Sequence, residues 1–455
     1  METEEQKPSF IERNAALIKG FFIGILCFIL LIPTFMIQGL INEREGRKDG
    51  VVKEVSAKWG NRQTLIGPIL KVPYYEISKV EKVNTTGKKE IEQTKNLAYA
   101  YFLPDKLNIS GNVSPEKRHR GIYDIVVYSS KLAFTGNYSK IEFEKLGISP
   151  ENIEWKDAAL LVSISDFRGI KDEVSLVWNG QKSTFNSGAI LEYNQEKEGN
   201  RSAIYTPVQI LNTGKDINNF SFDLTLKGSE VLDFVPVGKT TDVSLNSNWP
   251  SPSFDGAFLP DKSKITQTGF SATWKVLHLN RDFPQQWESL APVALEQSAF
   301  GVKLITPNDA YQKTSRSVKY AILILSLTFM AFFFTEILNQ KRVHPLNYIL
   351  IGLALCIFYT LLLSISEFTS FNTAYLLSTG MTLGLVFLYS KSIFQHIRPA
   401  ALVSLIMLIL YGFIFVIIQL EDTALLIGSI GLFLILAITM YISRKIDWAN
   451  VGVKR

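Results

Sequence analysis

Gly20–Ile41 reads GFFIGILCFILLIPTFMIQGLI and contains no charged residue. A bilayer hydrocarbon core of roughly 30 Å needs about 20 predominantly apolar residues in a helix, so this stretch predicts a membrane span. Pro33 predicts a kink within it. The polar exit Asn42-Glu43-Arg44 and the lack of a small-residue cleavage site favour an uncleaved anchor over a removed signal peptide. Working outward along the chain, further runs with little or no charge occur at 318–339, 344–366, 371–390, 399–420 and 423–443. With the anchor they make six predicted spans.

The whole composition fits a hybrid of lipid-embedded and water-exposed parts. Of 455 residues, 47% are hydrophobic and 20% charged, too apolar for disorder and too charged for a chain wholly in lipid. The net charge of +5 is small for this length and gives no case for nucleic-acid binding. Cys27 and Cys356 both fall in apolar runs, so they propose neither a disulfide framework nor a thiolate site. His119, His278, His344 and His396 are far apart in sequence, and no metal or other cofactor is expected.

Orientation follows from Lys and Arg in the short loops, which are retained on the cytoplasmic side. Lys341 and Arg342 lie between spans two and three, Lys391 and Arg398 between four and five, and Arg444, Lys445, Lys454 and Arg455 after span six. The alternate loops carry Glu367 or Glu421-Asp422 and no basic residue. This parity places residues 1–19 and the tail 444–455 in the cytoplasm. Residues 42–317 then form a large domain on the far side, and 318–443 a five-helix bundle. The acidic residues Glu2, Glu4, Glu5 and Glu12 dilute the Arg13/Lys19 flank but count little in this rule.

The large domain is patterned with period two. Phe220-Ser221-Phe222-Asp223-Leu224-Thr225-Leu226-Lys227 sends its apolar residues to one face of a half-solvated strand. Val174, Leu176 and Trp178 repeat the pattern and run into Asn179-Gly180, a type I′ hairpin signal. Leu132/Phe134, Val243/Leu245 and Phe270/Ala272/Trp274 add strands. Many short strands without alternating helices predict an antiparallel sandwich. The fold class is therefore an α+β membrane protein, six transmembrane helices with a β-rich, sandwich-like domain between helices one and two. Val51, Val52, Val55 and Trp59 at helical spacing extend the anchor as an amphipathic stalk, although Gly50 argues against it. The polar stretch 77–96 reads as a hairpin tip or loop.

Chemistry is less legible. No phosphate-binding loop, nucleophile elbow, zinc-protease or dinucleotide motif is present. The best polar cluster is Ser163-Ile164-Ser165-Asp166-Phe167-Arg168-Gly169. Asp166 and Arg168, two apart at a strand end, face the same way and either bind a polar ligand or pair with each other at a turn. The second reading is favoured because ion pairs and turn residues outnumber functional dyads. The other cluster is Ser247-Asn248-Trp249-Pro250-Ser251-Pro252-Ser253-Phe254 with Phe258-Leu259-Pro260, outside any regular strand. It reads either as a connection pinned by its aromatics or as a rigid partner surface centred on Asn248, Trp249 and Pro250. In the spans, Glu336 and Glu367 lie close to helix ends, where both are expected to reach the interface by snorkelling rather than relay protons.

These blocks in this order resemble the CreD family of bacterial inner-membrane proteins. The resemblance rests on Leu65-Ile66-Gly67-Pro68 with Val72-Pro73, Gly121-Ile122-Tyr123, Ser165-Asp166-Phe167-Arg168-Gly169-Ile170, and Ser247-Asn248-Trp249-Pro250 through Phe258-Leu259-Pro260. Lys319-Tyr320-Ala321-Ile322-Leu323, the Leu327–Phe333 run, His344-Pro345 and Ile446-Asp447-Trp448 complete it. It implies a Gram-negative inner membrane with the large domain periplasmic. It also implies a role in cell-envelope integrity, linked in some members to a two-component response to envelope or β-lactam stress and to tolerance of colicins or β-lactams. It carries over no catalytic residues.

Three functional classes remain. The first is an envelope protein whose periplasmic domain binds an envelope protein, lipid or peptidoglycan partner. The second is a transporter or flippase-like bundle in which Tyr359, Ser364, Ser378 and Thr379 line a path for a lipid or small molecule. The third, ranked last, is a hydrolase or transferase using Asp166. The missing catalytic motifs and clean spans favour the first.

Overall fold

The structure, a computed structural model, describes residues 15–83, 89–139, 141–191, 201–210, 217–288, 293–305, 310–339, 341, 343–420 and 423–444. Arg13, Arg342, Lys445, Lys454, Arg455, Glu421, Asp422 and the Ile446-Asp447-Trp448 block lie outside these residues. The chain divides into two compact units, Gly50–Pro307 and a helical unit formed by the segments on either side of it.

Gly50–Pro307 is built on two sheets. The strands are β1 (Gln63–Val83), β2 (Lys89–Phe102), β3 (Lys106–Arg120), β4 (Tyr123–Tyr138), β5 (Ala159–Ile164), β6 (Ser175–Trp178), β7 (Gln181–Thr184), β8 (Asn186–Leu191) and β9 (Arg201–Pro207). They continue with β10 (Asn218–Ser229), β11 (Val231–Phe234), β12 (Thr240–Ser247), β13 (Pro252–Gly256), β14 (Lys262–Thr266), β15 (Gly269–Leu277), β16 (Gln286–Glu288) and β17 (Phe300–Leu304). One sheet runs β13-β17-β11-β1-β5-β9-β8, with β2 also on β1 and β16 on β2; the other runs β14-β15-β12-β3-β4-β10-β6-β7.

The predicted alternation is realised in β10, where Phe220, Phe222, Leu224 and Leu226 are buried and the residues between them are less so. Phe222 stacks on Phe134 of β4 with ring centroids 4.6 Å apart. Burying each such side chain contributes about 1.5–3 kcal/mol, which makes this face a main source of the domain's stability. One hydrophobic core joins both sheets, and across it the Tyr138 hydroxyl donates to the Pro68 carbonyl at 2.9 Å. At the β6–β7 hairpin Asn179 and Gly180 take φ of 50° and 84°, the positive pair that a type I′ turn requires. Of the polar stretch 77–96, the described residues 77–83 and 89–96 belong to the paired strands β1 and β2, whose pairing runs out to Val83 opposite Lys89.

Most ladders are antiparallel, as the turn signals predict, but β1 pairs with β11 and β3 with β12 in parallel. Those pairs join segments far apart in sequence, and no local pattern registers them. The second difference concerns 247–260. Pro252–Gly256 is a regular edge strand on β17, although the sequence reads this segment as outside any regular strand. Pro252 opens that strand at the sheet edge, where a missing N–H costs no interior hydrogen bond.

The helix α1 (Ala15–Trp59) begins in the helical unit, includes Gly20–Ile41 and continues without interruption into residues 50–59 of the other unit, so the predicted stalk is helical despite Gly50. A short amphipathic helix, α2 (Ala310–Lys319), precedes α3 (Ala321–Leu338). Then follow α4 (Pro345–Ser366), α5 (Phe371–Phe394), α6 (Ile397–Gln419) and α7 (Ala424–Ser443). Six of these helices are long and apolar enough to cross a membrane. Local chemistry sets their starts. Pro345 occupies the first turn of α4 behind the capping His344 side chain, and Ser370 caps α5 by accepting from the Thr373 N–H at 3.3 Å. At Gly352 the missing side chain lets α4 approach α1, since a Cβ there would collide with Leu30. No residue of α7 is buried.

Candidate functional site

The Asp166/Arg168 cluster stands where the C-terminal end of α1 meets the sheets. Asp166 caps the short 3-10 helix Phe167–Gly169 by accepting from the Arg168 N–H at 3.1 Å. Arg168 returns a two-pronged contact, Nε to Oδ1 at 2.9 Å and Nη2 to Oδ2 at 3.0 Å. Its remaining nitrogen, Nη1, donates to the Ala57 carbonyl at 2.6 Å, satisfying an end carbonyl of α1. Asn61 donates to Asp166 Oδ2 from both its backbone N–H and its side-chain amide, at 3.0 and 2.9 Å.

Two further residues complete this joint. Buried Gln63 bridges the Asp166 and Lys227 carbonyls at 3.0 and 3.1 Å and accepts from the Asp166 N–H. Gly60 turns the chain out of α1 with φ of 145°, and a Cβ there would press on the Lys227 carbonyl. Burial by itself would raise the Asp166 pKa, but the Arg168 contacts and the Asn61 N–H outweigh it and hold the carboxyl below its ordinary value. Trp59 sits beside the joint, its Nε1 donating to the Tyr128 carbonyl at 3.2 Å, with Arg118 and Lys227 over its ring at 4.6 and 4.3 Å.

In the second cluster Trp249 is buried and its Nε1 donates to the Ile305 carbonyl at 2.9 Å. Asn248 and Pro250 on either side are exposed. Phe254 packs edge-on against Phe270 and Trp274, and Phe258 against Phe300. The aromatics thus fasten the segment to the core while Asn248 and Pro250 face outward.

The helical unit holds two ion pairs that pair residues of α1 with Glu336 and Glu367. Glu336 is buried rather than snorkelling. It accepts from Lys19 Nζ, from the Tyr348 hydroxyl at 2.9 Å and from the Val343 N–H at 3.0 Å. Lys19 also donates to the Val343 carbonyl at 2.6 Å. Glu367 faces Arg44 at 3.7 Å and accepts from the Tyr311 hydroxyl at 3.2 Å. Lys19 and Arg44 are 25 positions apart on one helix, about 38 Å at 1.5 Å per residue, enough to bracket a hydrocarbon core of about 30 Å. The carboxylates avoid the lipid interior by meeting these cations near its edges. Only the charge-free run that begins just after Lys19, and the two acids at span ends, hinted at this in the sequence. The partners Tyr348, Tyr311 and Asn61 left no signal.

Of the polar positions expected to line a path, Tyr359, Ser378 and Thr379 are buried within the bundle and Ser364 is exposed on it. Among the described residues no three His, Cys, Asp or Glu side chains gather as a metal site.

The family model described as Inner membrane protein CreD matches residues 15–449. The chain is 32% identical to the Escherichia coli (strain K12) protein of that name over 421 residues, covering 92% of this chain and 91% of that one. Among solved structures, a Legionella pneumophila protein named for nutrient binding aligns with 48% of this chain and 82% of its own, at 8% identity and a TM-score of 0.26. A Deinococcus radiodurans M1 zinc metallopeptidase aligns with 38% of this chain and 39% of its own, at 9% identity and a TM-score of 0.21. At these scores neither structure bears on fold or function.

Proposed function

The chain belongs to the CreD family of inner membrane proteins, and from that premise we propose that it maintains cell-envelope integrity by binding an envelope partner through its β domain. In this reading the domain is periplasmic, both termini are cytoplasmic, and the protein acts in the response to envelope or β-lactam stress. The short-loop residues Lys341, Lys391, Arg398 and Arg444 support the orientation, because basic residues are retained on the cytoplasmic side.

The observation that carries the binding role is the setting of Arg168. Its side chain is 58% exposed, yet Asp166 and the Ala57 carbonyl hold the guanidinium in place. A cation already oriented loses little entropy on meeting an acidic or phosphate-bearing group. Asn248 and Pro250 add exposed surface whose backbone is fixed by buried Trp249.

Photo-crosslinking in living cells from probes at Asn248 and Lys171 tests this. A specific protein, lipid or glycan adduct, lost on Arg168→Ala in protein shown to be folded and inserted, is the expected result. No adduct from either position, together with unchanged envelope phenotypes after deletion of 50–307, would sink the reading.

A further inference from the structure

Three helices of the bundle bury hydroxyls that have no partner inside the apolar region. Tyr359 of α4, Ser378 and Thr379 of α5, and Tyr411 of α6 are 1%, 0%, 7% and 1% exposed. None of these four hydroxyl oxygens has a hydrogen-bond partner. Along their own helices, Tyr359 lies about 12 Å from Glu367, Ser378 about 11 Å from Phe371 and Tyr411 about 12 Å from Gln419 at 1.5 Å per residue. Those three reference residues belong to one end of the bundle, where Gln419 Nε2 donates to Asn372 Oδ1. The backbone positions of these residues therefore share one depth, well inside a hydrocarbon core of roughly 30 Å.

The layer is contiguous. Phe358 contacts the rings of Tyr375 and Tyr411 at 5.5 and 4.7 Å, and the Tyr375 hydroxyl donates to the Tyr411 carbonyl at 2.8 Å. Tyr359 joins the layer through Phe358, whose ring it meets at 5.0 Å. Ser378 and Thr379, three and four residues after Tyr375, share its face of α5.

Several other hydroxyls in the spans satisfy themselves on their own helix, whereas Thr328 of α3 and Ser404 of α6 also lack a partner. Thr335 donates to the Ala331 carbonyl at 2.7 Å, Ser390 to Val386 at 2.6 Å and Thr439 to Ile435 at 2.8 Å. Ser378 and Thr379 make no such bond, and a tyrosine hydroxyl is too distant from its own helix backbone to do so. Buried polar atoms in lipid must be paired, and ordered water is the usual partner where protein supplies none. The charged residues of 344–420 are Glu367, Lys391 and Arg398, all at helix ends, so the layer is neutral. A neutral cluster of groups that both donate and accept suits water and disfavours a bare ion.

We infer that Tyr359, Ser378, Thr379 and Tyr411 line a neutral, hydrated site inside the bundle, holding ordered water that enters from the polar end. Lys313, Asn372 and Gln419 form that end, with Lys313 Nζ donating to Gln419 Oε1 at 3.1 Å. The site is independent of the partner-binding role of the β domain.

Millisecond hydroxyl-radical footprinting of the full chain in lipid nanodiscs tests it, because radicals formed from bound water oxidise the side chains touching that water. Normalised for intrinsic reactivity, Tyr359 and Tyr411 should be modified at least about ten-fold faster than Phe332 and Phe394, which are equally buried and stack on each other. Rates equal to those two phenylalanines would overturn the inference. The Tyr359→Phe/Tyr411→Phe double variant gives an independent readout. Its melting temperature should fall if water is lost with the hydroxyls, whereas a rise would mean that dry, unpartnered groups had been removed.

Discussion

Lys19 and Glu336, 317 positions apart in sequence, form a hydrogen-bonded ion pair that fastens the start of α1 to the end of α3. Tyr348 and the Val343 N–H occupy the other lone pairs of the carboxylate. A buried charge with its partners satisfied is tolerated, and one with a partner removed is not. Glu336→Ala should therefore cost about 3–5 kcal/mol, read as a fall in thermal stability of the protein in nanodiscs. Replacing both members, Lys19→Met with Glu336→Leu, should recover most of that loss. A double variant as unstable as Glu336→Ala would show that Glu336 contributes mainly through Tyr348 and Val343.

Asp166 makes the β domain acid-sensitive. Its carboxyl titrates below the ordinary range, because the Arg168 and Asn61 contacts outweigh the opposing effect of burial. A group depressed in the fold contributes stability that is present above its unfolded pKa and is lost as pH falls through the folded value. Asp166→Asn should be less stable than the parent at pH 7 by about 1–2 kcal/mol. The gap should close as pH drops below the usual carboxylate range. Unfolding followed by tryptophan fluorescence across pH measures it.

Asp233 behaves in the opposite sense. Burial raises its pKa to about 6, the nearby Asp255 adds to the rise, and Arg62 opposes it. The folded chain therefore favours the protonated form, and a penalty grows as pH rises from the ordinary carboxylate value through about 6. Asp233→Asn should stabilise the protein at pH 7 by roughly 1–2 kcal/mol and change little at pH 4. The same fluorescence series tests it, and a variant less stable at both pH values would contradict the assignment.

Trp249 and its neighbours should separate in their effects. Trp249→Ala removes a buried indole and the bond to the Ile305 carbonyl, with an expected loss of about 3–5 kcal/mol. Asn248→Ala, at an exposed position, should change stability by no more than about 0.5 kcal/mol. A crosslink from the probe at Lys171 that is lost in Asn248→Ala would then report binding rather than unfolding.

Gly352→Leu should loosen α1 from α4, since the added side chain would occupy space held by Leu30 and Phe329. Overpacking of this kind costs about 1–3 kcal/mol, and Gly352→Ala should cost less. Thermal stability of the two variants in nanodiscs gives the comparison.

The sequence alone determined the spans, the β character of the large domain and its hairpins, because each depends on a local period or a turn residue. Gly20–Ile41 announced a span by length and lack of charge, and Asn179-Gly180 announced its turn because few residues accept positive φ. The block Ser165-Asp166-Phe167-Arg168-Gly169 was visible as a polar cluster at a strand end. Its contacts with Asn61 and the Ala57 carbonyl were not, since they depend on where α1 ends relative to β1 and β5. Only the tertiary structure decided the parallel pairing of β1 with β11, the edge strand at Pro252, and the partners of Glu336 and Glu367. Each joins residues remote in sequence through contacts that no local pattern encodes. Burial likewise belongs to the fold: the hydroxyls of Tyr359 and Ser364 are alike in sequence, and packing places one inside the bundle and leaves the other on its surface.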